Sequence, residues 1–443
     1  MPILSSLGAL TYTKTFLGDQ YYWVIEVRHE NASPNSVQLF SSAVNNNDVV
    51  LGGSVQSNGL NRSLILKFDD NNFSLPISEY GAFYANASVP SGEITDVKFD
   101  SNANIIIIGN ERANSAVRIL ENDGNDIDSF VDTRGTGLNP TKNPSEIIVH
   151  ANGSYTVAGV LREDVANLGT ETRGFITNYT GNIKNYAKTF GVKTVIQTAV
   201  REKSNGNILV QGQSALLELS SDASTIINQI EFENANLLNF DIDQDENTYV
   251  LTSTSPPIAR QVSKLDNSGN LIWQKEFTGN IQESAALQAT SIRFYDNNVI
   301  VSGQAEAPGG NIQNGIPIGL ISFDATSGNI NWQNKFTNQN QVHIGGTLRK
   351  LTVESGNIYI TAGTNFLRGY AIKIPADGTI PGNGSYENGK YIYEPANVQV
   401  MNGSVNIITG NVSLEDAQQT DVVNSELIAN TNPPVNFITS RII

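Results

Sequence analysis

The sequence predicts an all-β protein, an eight-bladed β-propeller closed by its C-terminal strand. Two observations predict it: short apolar strands bounded by Asn, Gly and Asp turns recur along the chain, and one recurring strand returns on average every 51 residues. A period of that length fits four strands with their loops, which is one propeller blade. Since no long amphipathic helical pattern interrupts the repeats, we treat residues 1–443 as a single propeller domain.

The repeat has three recognisable pieces. The first is a short strand that usually ends in a turn, as in Gly174–Tyr179, and the second follows a Gly-Asn turn, as in Gly269–Phe277 and Gly328–Phe336. The third is an apolar strand that usually ends in Gly. Its eight copies end at Gly53, Gly109, Gly159, Gly212, Thr252, Gly303, Gly363 and Gly410.

The ends of the chain predict how the ring closes. Eight copies of the third piece accompany only seven internal copies of the first, and the chain begins with a second-type strand, Tyr12–Phe16. The segment Val435–Ile442 resembles the first piece, so we expect it to complete the N-terminal blade and remove two exposed sheet edges. The alternative is seven blades plus a C-terminal appendage, because the second-type strand near Asp126–Asp132 is poorly formed.

The composition excludes several classes of protein. The chain has 443 residues, 27 Lys and Arg, 43 Asp and Glu, a formal charge of −16, 54 Asn and no Cys. Without Cys there is no disulfide framework, thiolate metal site or cysteine nucleophile. An acidic chain lacks the basic surface of a nucleic-acid binder, so we expect no nucleic-acid partner.

The N-terminus and the hydropathy pattern bear on localisation. The first basic residue is Lys14, so no positive segment precedes the apolar start, and we expect no secretory signal peptide. No run of about 18 apolar residues occurs, so we expect no membrane insertion.

Acidic residues alternate at Asp241, Asp243 and Asp245. Carboxylates spaced in this way can converge on Ca²⁺ from one loop. An EF-hand loop beginning at Asp241 would need Gly and Glu where the chain has Glu246 and Thr252, so that template fails. The other interpretation is a hairpin turn between two strands of a blade. We expect no other cofactor and no catalytic residue.

The aromatic residues fall into two groups. Tyr21, Tyr22 and Trp23 form a triplet beside charged residues, and aromatic side chains with polar groups are favoured at binding surfaces. We therefore consider this triplet a candidate binding surface. Trp273 and Trp332 follow Gly-Asn turns within the repeats, and we expect them to pack between blades.

Two repeats resemble those of quinoprotein-type propellers. In the segments Asp266–Trp273 and Asp324–Trp332, a Trp follows a turn Gly by four residues, as in the tryptophan-docking repeat of that family. The resemblance implies a propeller in which these Trp residues wedge between blades. Quinoprotein alcohol dehydrogenases also use a vicinal disulfide, which this Cys-free chain cannot form.

A second resemblance covers more of the chain. An Asn-rich, Cys-free β-repeat protein is similar to virion components of tailed phages, and the opening Leu7–Thr15 is similar to the starts of structural proteins from phages of marine cyanobacteria. The resemblance implies a non-enzymatic structural component of the virion, tail-associated or host-facing, present in several copies. Its partners would be other virion proteins or a host-surface glycan.

Two other function classes stay open. One is an interaction propeller of a bacterial surface or envelope, located on the cell surface or outside the cell. The other is a propeller enzyme of the quinoprotein or polysaccharide-lyase kind. The fold cannot decide among them, because propellers carry many unrelated activities.

Overall fold

The computed structural model describes most of the chain as strands and turns. The described residues are 10–17, 22–29, 36–57, 60–70, 78–80, 92–111, 114–132, 138–165, 169–190, 199–254, 259–277, 287–305, 318–338, 347–363, 368–382, 384–387, 390–396, 398–409, 414–416 and 422–423. Across these residues, no helix is long and apolar enough to cross a membrane.

The strands follow one another as hairpins. The first fourteen are β1 (Leu10–Phe16), β2 (Trp23–His29), β3 (Ser36–Asn45), β4 (Asp48–Ser57), β5 (Leu60–Asp69), β6 (Ser78–Tyr80), β7 (Gly92–Phe99), β8 (Ile105–Glu111), β9 (Asn114–Leu120), β10 (Asp126–Asp132), β11 (Leu138–Val149), β12 (Tyr155–Val165), β13 (Gly169–Thr180) and β14 (Ile183–Phe190). The next fifteen are β15 (Val200–Glu202), β16 (Ile208–Gln211), β17 (Ala215–Leu219), β18 (Ile226–Phe232), β19 (Ala235–Ile242), β20 (Thr248–Thr254), β21 (Arg260–Leu265), β22 (Leu271–Phe277), β23 (Leu287–Tyr295), β24 (Asn298–Ala305), β25 (Ile318–Asp324), β26 (Ile330–Asn338), β27 (Thr347–Glu354), β28 (Asn357–Gly363) and β29 (Arg368–Pro375). The last six are β30 (Ser385–Tyr386), β31 (Tyr391–Pro395), β32 (Val400–Asn402), β33 (Ile407–Thr409), β34 (Leu414–Asp416) and β35 (Val422–Val423).

The described strands form seven antiparallel sheets, each of them one blade of a propeller. Blade 1 is β3–β6, blade 2 is β7–β10, blade 3 is β11–β14, blade 4 is β15–β18, blade 5 is β19–β22 and blade 6 is β23–β26. Blade 7 takes its three inner strands, β27–β29, from the last repeat and its two outer strands, β2 and β1, from the N-terminus. The N-terminal strand β2 therefore closes the ring against β29.

The prediction of an all-β propeller is confirmed, and the blade number is that of the alternative, seven. The prediction of eight blades is wrong because the eighth apolar strand, the one before Gly410, is not part of a blade interior. Its residues form β33, which adds to the outer edge of β18. The predicted closing strand Val435–Ile442 lies outside the described residues, and β2 occupies the position next to β29.

The C-terminal segment runs backwards around the outside of the ring. Its strands β31, β32, β33, β34 and β35 pair in turn with the outermost strands of blades 6, 5, 4, 3 and 2. We call β30–β35 the C-terminal belt. Each belt strand covers part of an edge that would otherwise offer unpaired backbone groups to another chain.

The core is divided among the seven blade interfaces. Each interface holds one cluster of buried apolar side chains drawn from both of its blades, as the described residues show. Alternation along each strand sends side chains to both faces of the blade, so every blade packs against two neighbours. Trp273 behaves as predicted: it is buried and its indole N–H donates to the Ala325 carbonyl of the next blade at 3.0 Å.

Candidate functional site

Six of the seven inner strands carry a β-bulge, within the residues that the structure describes. The bulges lie between Leu39 and Ser41, Ile94 and Asp96, Pro144 and Glu146, Leu237 and Asn239, Ala289 and Ser291, and Leu348 and Lys350. A bulge adds one residue to its strand and re-aims that side chain. Four of the extra residues, Phe40, Thr95, Ser145 and Leu238, line the mouth of the central channel.

In blades 1 and 3 the bulge explains why the second strand ends in Gly. Gly53 and Gly159 lie directly opposite a bulge, and a Cβ on either one would approach a backbone oxygen of the inner strand to 2.0 and 2.2 Å. Real Cβ atoms do not come so close, so Gly is required at these two positions. Thr252 and Ala362 stand opposite the bulges of blades 5 and 7, so the bulge does not require Gly in every blade.

Six charged side chains meet in the channel, one from the inner strand of each of blades 2 to 7. They are Asp96, Glu146, Arg201, Asp241, Arg293 and Lys350, which we call the channel network. Blade 1 joins it through Ser41, whose hydroxyl donates to Asp96 at 2.6 Å. All seven blades are thus connected at the axis.

Glu146 is at the centre of the channel network. Its carboxylate lies 2.9 Å from Arg201, 3.4 Å from Arg293 and 3.6 Å from Lys350. Lys350 also pairs with Asp96, and Arg201 with Asp241 at 2.5 Å. Glu146 of blade 3 is therefore tied to blades 4, 6 and 7, across the axis as well as around it.

Each of these carboxylates also accepts a backbone N–H from a neighbouring blade. Asp96 accepts from Ile147 at 3.1 Å, and Asp241 accepts from Phe294 at 2.8 Å. Glu146 accepts from the N–H of Val200 at 3.2 Å, in addition to its ion pairs. A buried charge is tolerated when it is both paired and hydrogen-bonded, and these three meet that condition.

The electrostatics follow from this pairing. Burial on its own raises the pKa of the Glu146 carboxyl, but Arg201, Lys350 and Arg293 together hold it well below its usual range. Burial and the neighbouring Arg201 lower the pKa of Arg293. Lys98 lies two residues after Asp96 in β7. The charge of Lys350, together with burial, lowers the pKa of Lys98 to about 8.

A cavity of about 220 Å³ opens at the bulge end of the channel, and we call it the mouth. All seven blades contribute to its lining. The lining residues that matter here are Phe40, Glu93, Thr95, Asn110, Asn143, Ser145, Glu146, Gln211, Asn239, Arg293 and Lys350. Three members of the channel network, Glu146, Arg293 and Lys350, line it, and amide and hydroxyl side chains make up most of the remaining polar lining.

The three predicted metal ligands do not come together. Asp241 points into the channel and pairs with Arg201. Asp243 caps a turn: one carboxylate oxygen accepts the N–H groups of Asp245 and Asn247 at 2.9 and 2.8 Å, and the other accepts the Tyr249 hydroxyl. Among the described residues no group of three metal-ligating side chains could hold an ion. The geometry is that of the hairpin turn given as the other interpretation.

The aromatic triplet is divided between the core and the edge of the described chain. Trp23 is fully buried, so the prediction that it lies on a binding surface is wrong. Its indole N–H donates to Asp70 at 2.9 Å, and its ring packs on Phe68. Tyr22 is partly buried and packs against the cluster between blades 6 and 7, and Tyr21 lies outside the described residues.

Sequence reasoning missed both the channel network and the mouth. Their residues lie at positions 40 to 350 and meet only because the ring closes. One local signal was available: in several repeats a charged or amide residue stands in an otherwise apolar first strand, as Asp96 and Glu146 do. The charges of the channel pair with one another, and the wall of the mouth offers hydrogen-bonding amides and hydroxyls.

Comparisons with known proteins return structures only. No family model and no curated protein matches the sequence. A protein of unknown function from Bacteroides caccae is similar over 65% of this chain and 92% of its own, with 14% identity and a TM-score of 0.40. The Neurospora crassa Pan2 WD40 domain is similar over 83% and 99%, with 11% identity and a TM-score of 0.47. The WD40 propeller domain of Doa1 is similar over 77% and 96%, with 9% identity and a TM-score of 0.43. The assignment of the fold rests on the seven sheets described above.

Proposed function

We propose that this protein is a non-enzymatic structural component of a phage virion, tail-associated or host-facing, that displays binding elements on a rigid disc. The observation that carries the proposal is a hairpin that extends beyond blade 3. Strands β12 and β13 stay paired from Val160 with Gly174 to Val165 with Gly169, past Gly159. Val160 and Leu161 are still buried in blade 3, so the four paired residues 162–165, at about 3.4 Å each, give a projection of roughly 14 Å. Strand β11 pairs along it as far as Leu138 with Asp164.

The hairpin projects at the same end of the channel as the mouth. Gly159 of β12 lies opposite the bulge of β11, and the extra residue of that bulge, Ser145, lines the mouth. The Gly159 end of the hairpin is therefore the end nearest the mouth. A ring closed by β2 and tied at its axis by the channel network holds the hairpin and the mouth in a fixed relation. A particle that carries many copies of such a disc can bind a surface firmly even though each single contact is weak, provided that the geometry lets several copies bind at once.

The virion assignment is supported by the sequence. The chain is Cys-free and rich in Asn, and its opening residues are similar to the starts of structural proteins of cyanophages. Partners of this component would be other virion proteins and a glycan of the host surface.

Peptide mass spectrometry on density-purified particles tests the proposal. We expect peptides of this chain to be enriched in nuclease-treated particles at a fixed ratio to the capsid and tail proteins. A lysate of producing cells, run through the same gradient after the particles are removed, is the control. Recovery of the chain only in that lysate or in the culture medium would overturn the virion assignment.

A further inference from the structure

The mouth has the features of a site for a small guest. At about 220 Å³ it has room for roughly seven water molecules at ~30 Å³ each. That is less than the roughly 300–1,000 Å³ of sites for drug-sized ligands. A guest of this size is a single ring with its substituents, and not a chain of rings.

The charges of the lining favour a neutral guest. The lining holds two carboxylates, Glu93 and Glu146, and two cations, Arg293 and Lys350. Both cations are already engaged, since Arg293 and Lys350 pair with Glu146 and Lys350 also pairs with Asp96. A charged guest would have to break these pairs or lie unpaired beside them.

The uncharged part of the lining offers hydrogen bonds in several directions. Amides of Asn110, Asn143 and Asn239 and hydroxyls of Thr95 and Ser145 stand around the cavity. The Oδ1 atom of Asn110 is buried and accepts no hydrogen bond from the described residues. An unsatisfied buried acceptor costs about 1–3 kcal/mol, so a hydrogen bond donated to it by a guest would be stabilising.

Phe40 adds an aromatic side chain to the polar wall. It is the extra residue of the bulge in blade 1 and is partly buried at the mouth. A hydroxyl-rich ring has polar edges and C–H faces, so it can meet the amides with its edges and the aromatic ring with a face. An alkyl guest could not satisfy the amides of the lining.

We propose that the mouth binds one neutral sugar residue, with Asn110 accepting from a sugar hydroxyl and Phe40 packing on the sugar ring. This inference rests on the proposed function for its choice of a glycan, and it names the subsite and the class of sugar. It places recognition at the axis of the propeller, beside the projecting hairpin of blade 3.

Saturation-transfer NMR on the purified full chain tests the inference. The probes are the methyl glycosides of glucose, galactose, mannose and N-acetylglucosamine, with acetate and inorganic phosphate as anionic probes. Two variants remove separate contacts, Asn110→Leu and Phe40→Ala. Asn102→Leu is the matched control, because Asn102 is exposed in the turn at the opposite end of the same hairpin of blade 2.

We expect at least one neutral glycoside to bind the native chain and Asn102→Leu alike. Both mouth variants should weaken that binding by about tenfold or more, which is about 1.4 kcal/mol. Two mouth variants are used so that a folding defect in one, seen as a lowered unfolding midpoint, leaves the other informative.

Three results would overturn the inference: no neutral glycoside binds the folded native chain, the mouth variants bind as well as the native chain, or the anionic probes bind in preference. None of these bears on the virion assignment. A chain enriched in particles that binds no sugar keeps the proposed function and loses this inference. A chain that binds sugar through Asn110 and Phe40 but is absent from particles does the reverse.

Discussion

Asp70 joins the last blade to the first through three side chains. It accepts the Trp23 indole N–H at 2.9 Å, the Tyr359 hydroxyl at 3.2 Å and the Lys373 ammonium at 2.5 Å. Asp70 follows β5 of blade 1, whereas its three donors all belong to blade 7. The carboxylate therefore fastens the seam where the N-terminal strand closes the ring.

Removal of this carboxylate leaves Lys373 buried without its partner. We expect Asp70→Ala to lower the free energy of unfolding by about 3–5 kcal/mol, the usual cost of breaking a buried pair. The control is Glu394→Ala, which breaks the exposed Lys335–Glu394 pair of 3.0 Å and should cost about 0–1 kcal/mol. Urea denaturation measures both, and equal losses would contradict a special role for Asp70.

Lys98 gives the protein a pH dependence in the alkaline range. The charge of Lys350, together with burial, lowers the pKa of Lys98 to about 8 from an ordinary value of 10.5. Below pH 8 the folded and unfolded chains both carry this proton, so the penalty of holding the partly buried ammonium beside Lys350 is fully present. As the pH rises from about 8 to 10.5 the folded chain releases the proton first, and the penalty disappears.

Replacement of this ammonium should therefore stabilise the protein at neutral pH only. We expect Lys98→Met to raise the free energy of unfolding at pH 7 by about 2 kcal/mol, an advantage that shrinks to nothing near pH 10.5. Denaturation curves at a series of pH values measure the difference from the native chain. Lys335→Met, at an exposed position, should give a difference that stays flat, and a flat difference for Lys98→Met would refute the prediction.

At the scale of the strands, the bulge brings the backbone of the inner strand close to the Gly opposite it. Gly159 faces a bulge, and a Cβ there would lie 2.2 Å from the Asn143 carbonyl oxygen. Gly212 follows the second strand of blade 4, where the register of β15 and β16 shows no bulge in the described residues, and the nearest atom to a Cβ lies at 3.2 Å. The same residue type thus meets very different crowding in neighbouring blades.

We expect Gly159→Ala to lower the free energy of unfolding by about 3 kcal/mol, because the added methyl group pushes strand against strand. Gly212→Ala should cost less than about 1 kcal/mol. Thermal unfolding of the two variants measures the contrast. If both substitutions cost the same, the bulge is not the reason for Gly at the end of the second strand.

The repeats show how far sequence reasoning reaches. Seven of the eight apolar strands counted from the sequence are the second strands of the seven blades, so the fold and the period could be predicted. The eighth is β33 of the belt, and its Ile407 and Ile408 resemble a blade interior because edge strands and inner strands share the same short apolar pattern. Periodicity does not reveal which neighbour a strand pairs with.

The candidate site was beyond such reasoning for a different reason. Trp23 beside Tyr22 has the composition of a binding surface, but only the position of Asp70 across the seam shows that its N–H is satisfied inside the core. Likewise Asp96 and Lys350 lie 254 residues apart and become partners through ring closure. Contacts of this kind depend on the whole topology and leave no local pattern.

At the scale of the molecule, three devices hold the ring together. The channel network ties the blades at the axis, seven apolar clusters fill the interfaces, and the belt crosses five blades on the outside. The belt pairs are only two to five residues long and are supplemented by side chains such as Gln333, which accepts the Val398 N–H at 2.9 Å. Closure of the ring by β2 against β29 is the step that makes the axis contacts possible.

Closure can be tested with cysteines, because the chain has none of its own. Ala371 of β29 lies between Ile25 of β2 and Thr361 of β28 in the register of blade 7. A disulfide in Ile25→Cys/Ala371→Cys closes a loop of roughly 350 residues, whereas one in Thr361→Cys/Ala371→Cys closes a loop of roughly 10. Loop-closure entropy then predicts that the first disulfide stabilises the protein by about 3 kcal/mol more than the second. Comparison of oxidised with reduced protein in each double variant cancels the cost of the substitutions themselves. An equal gain from both disulfides would mean that β2 stays beside β29 in the unfolded chain or does not close the ring at all.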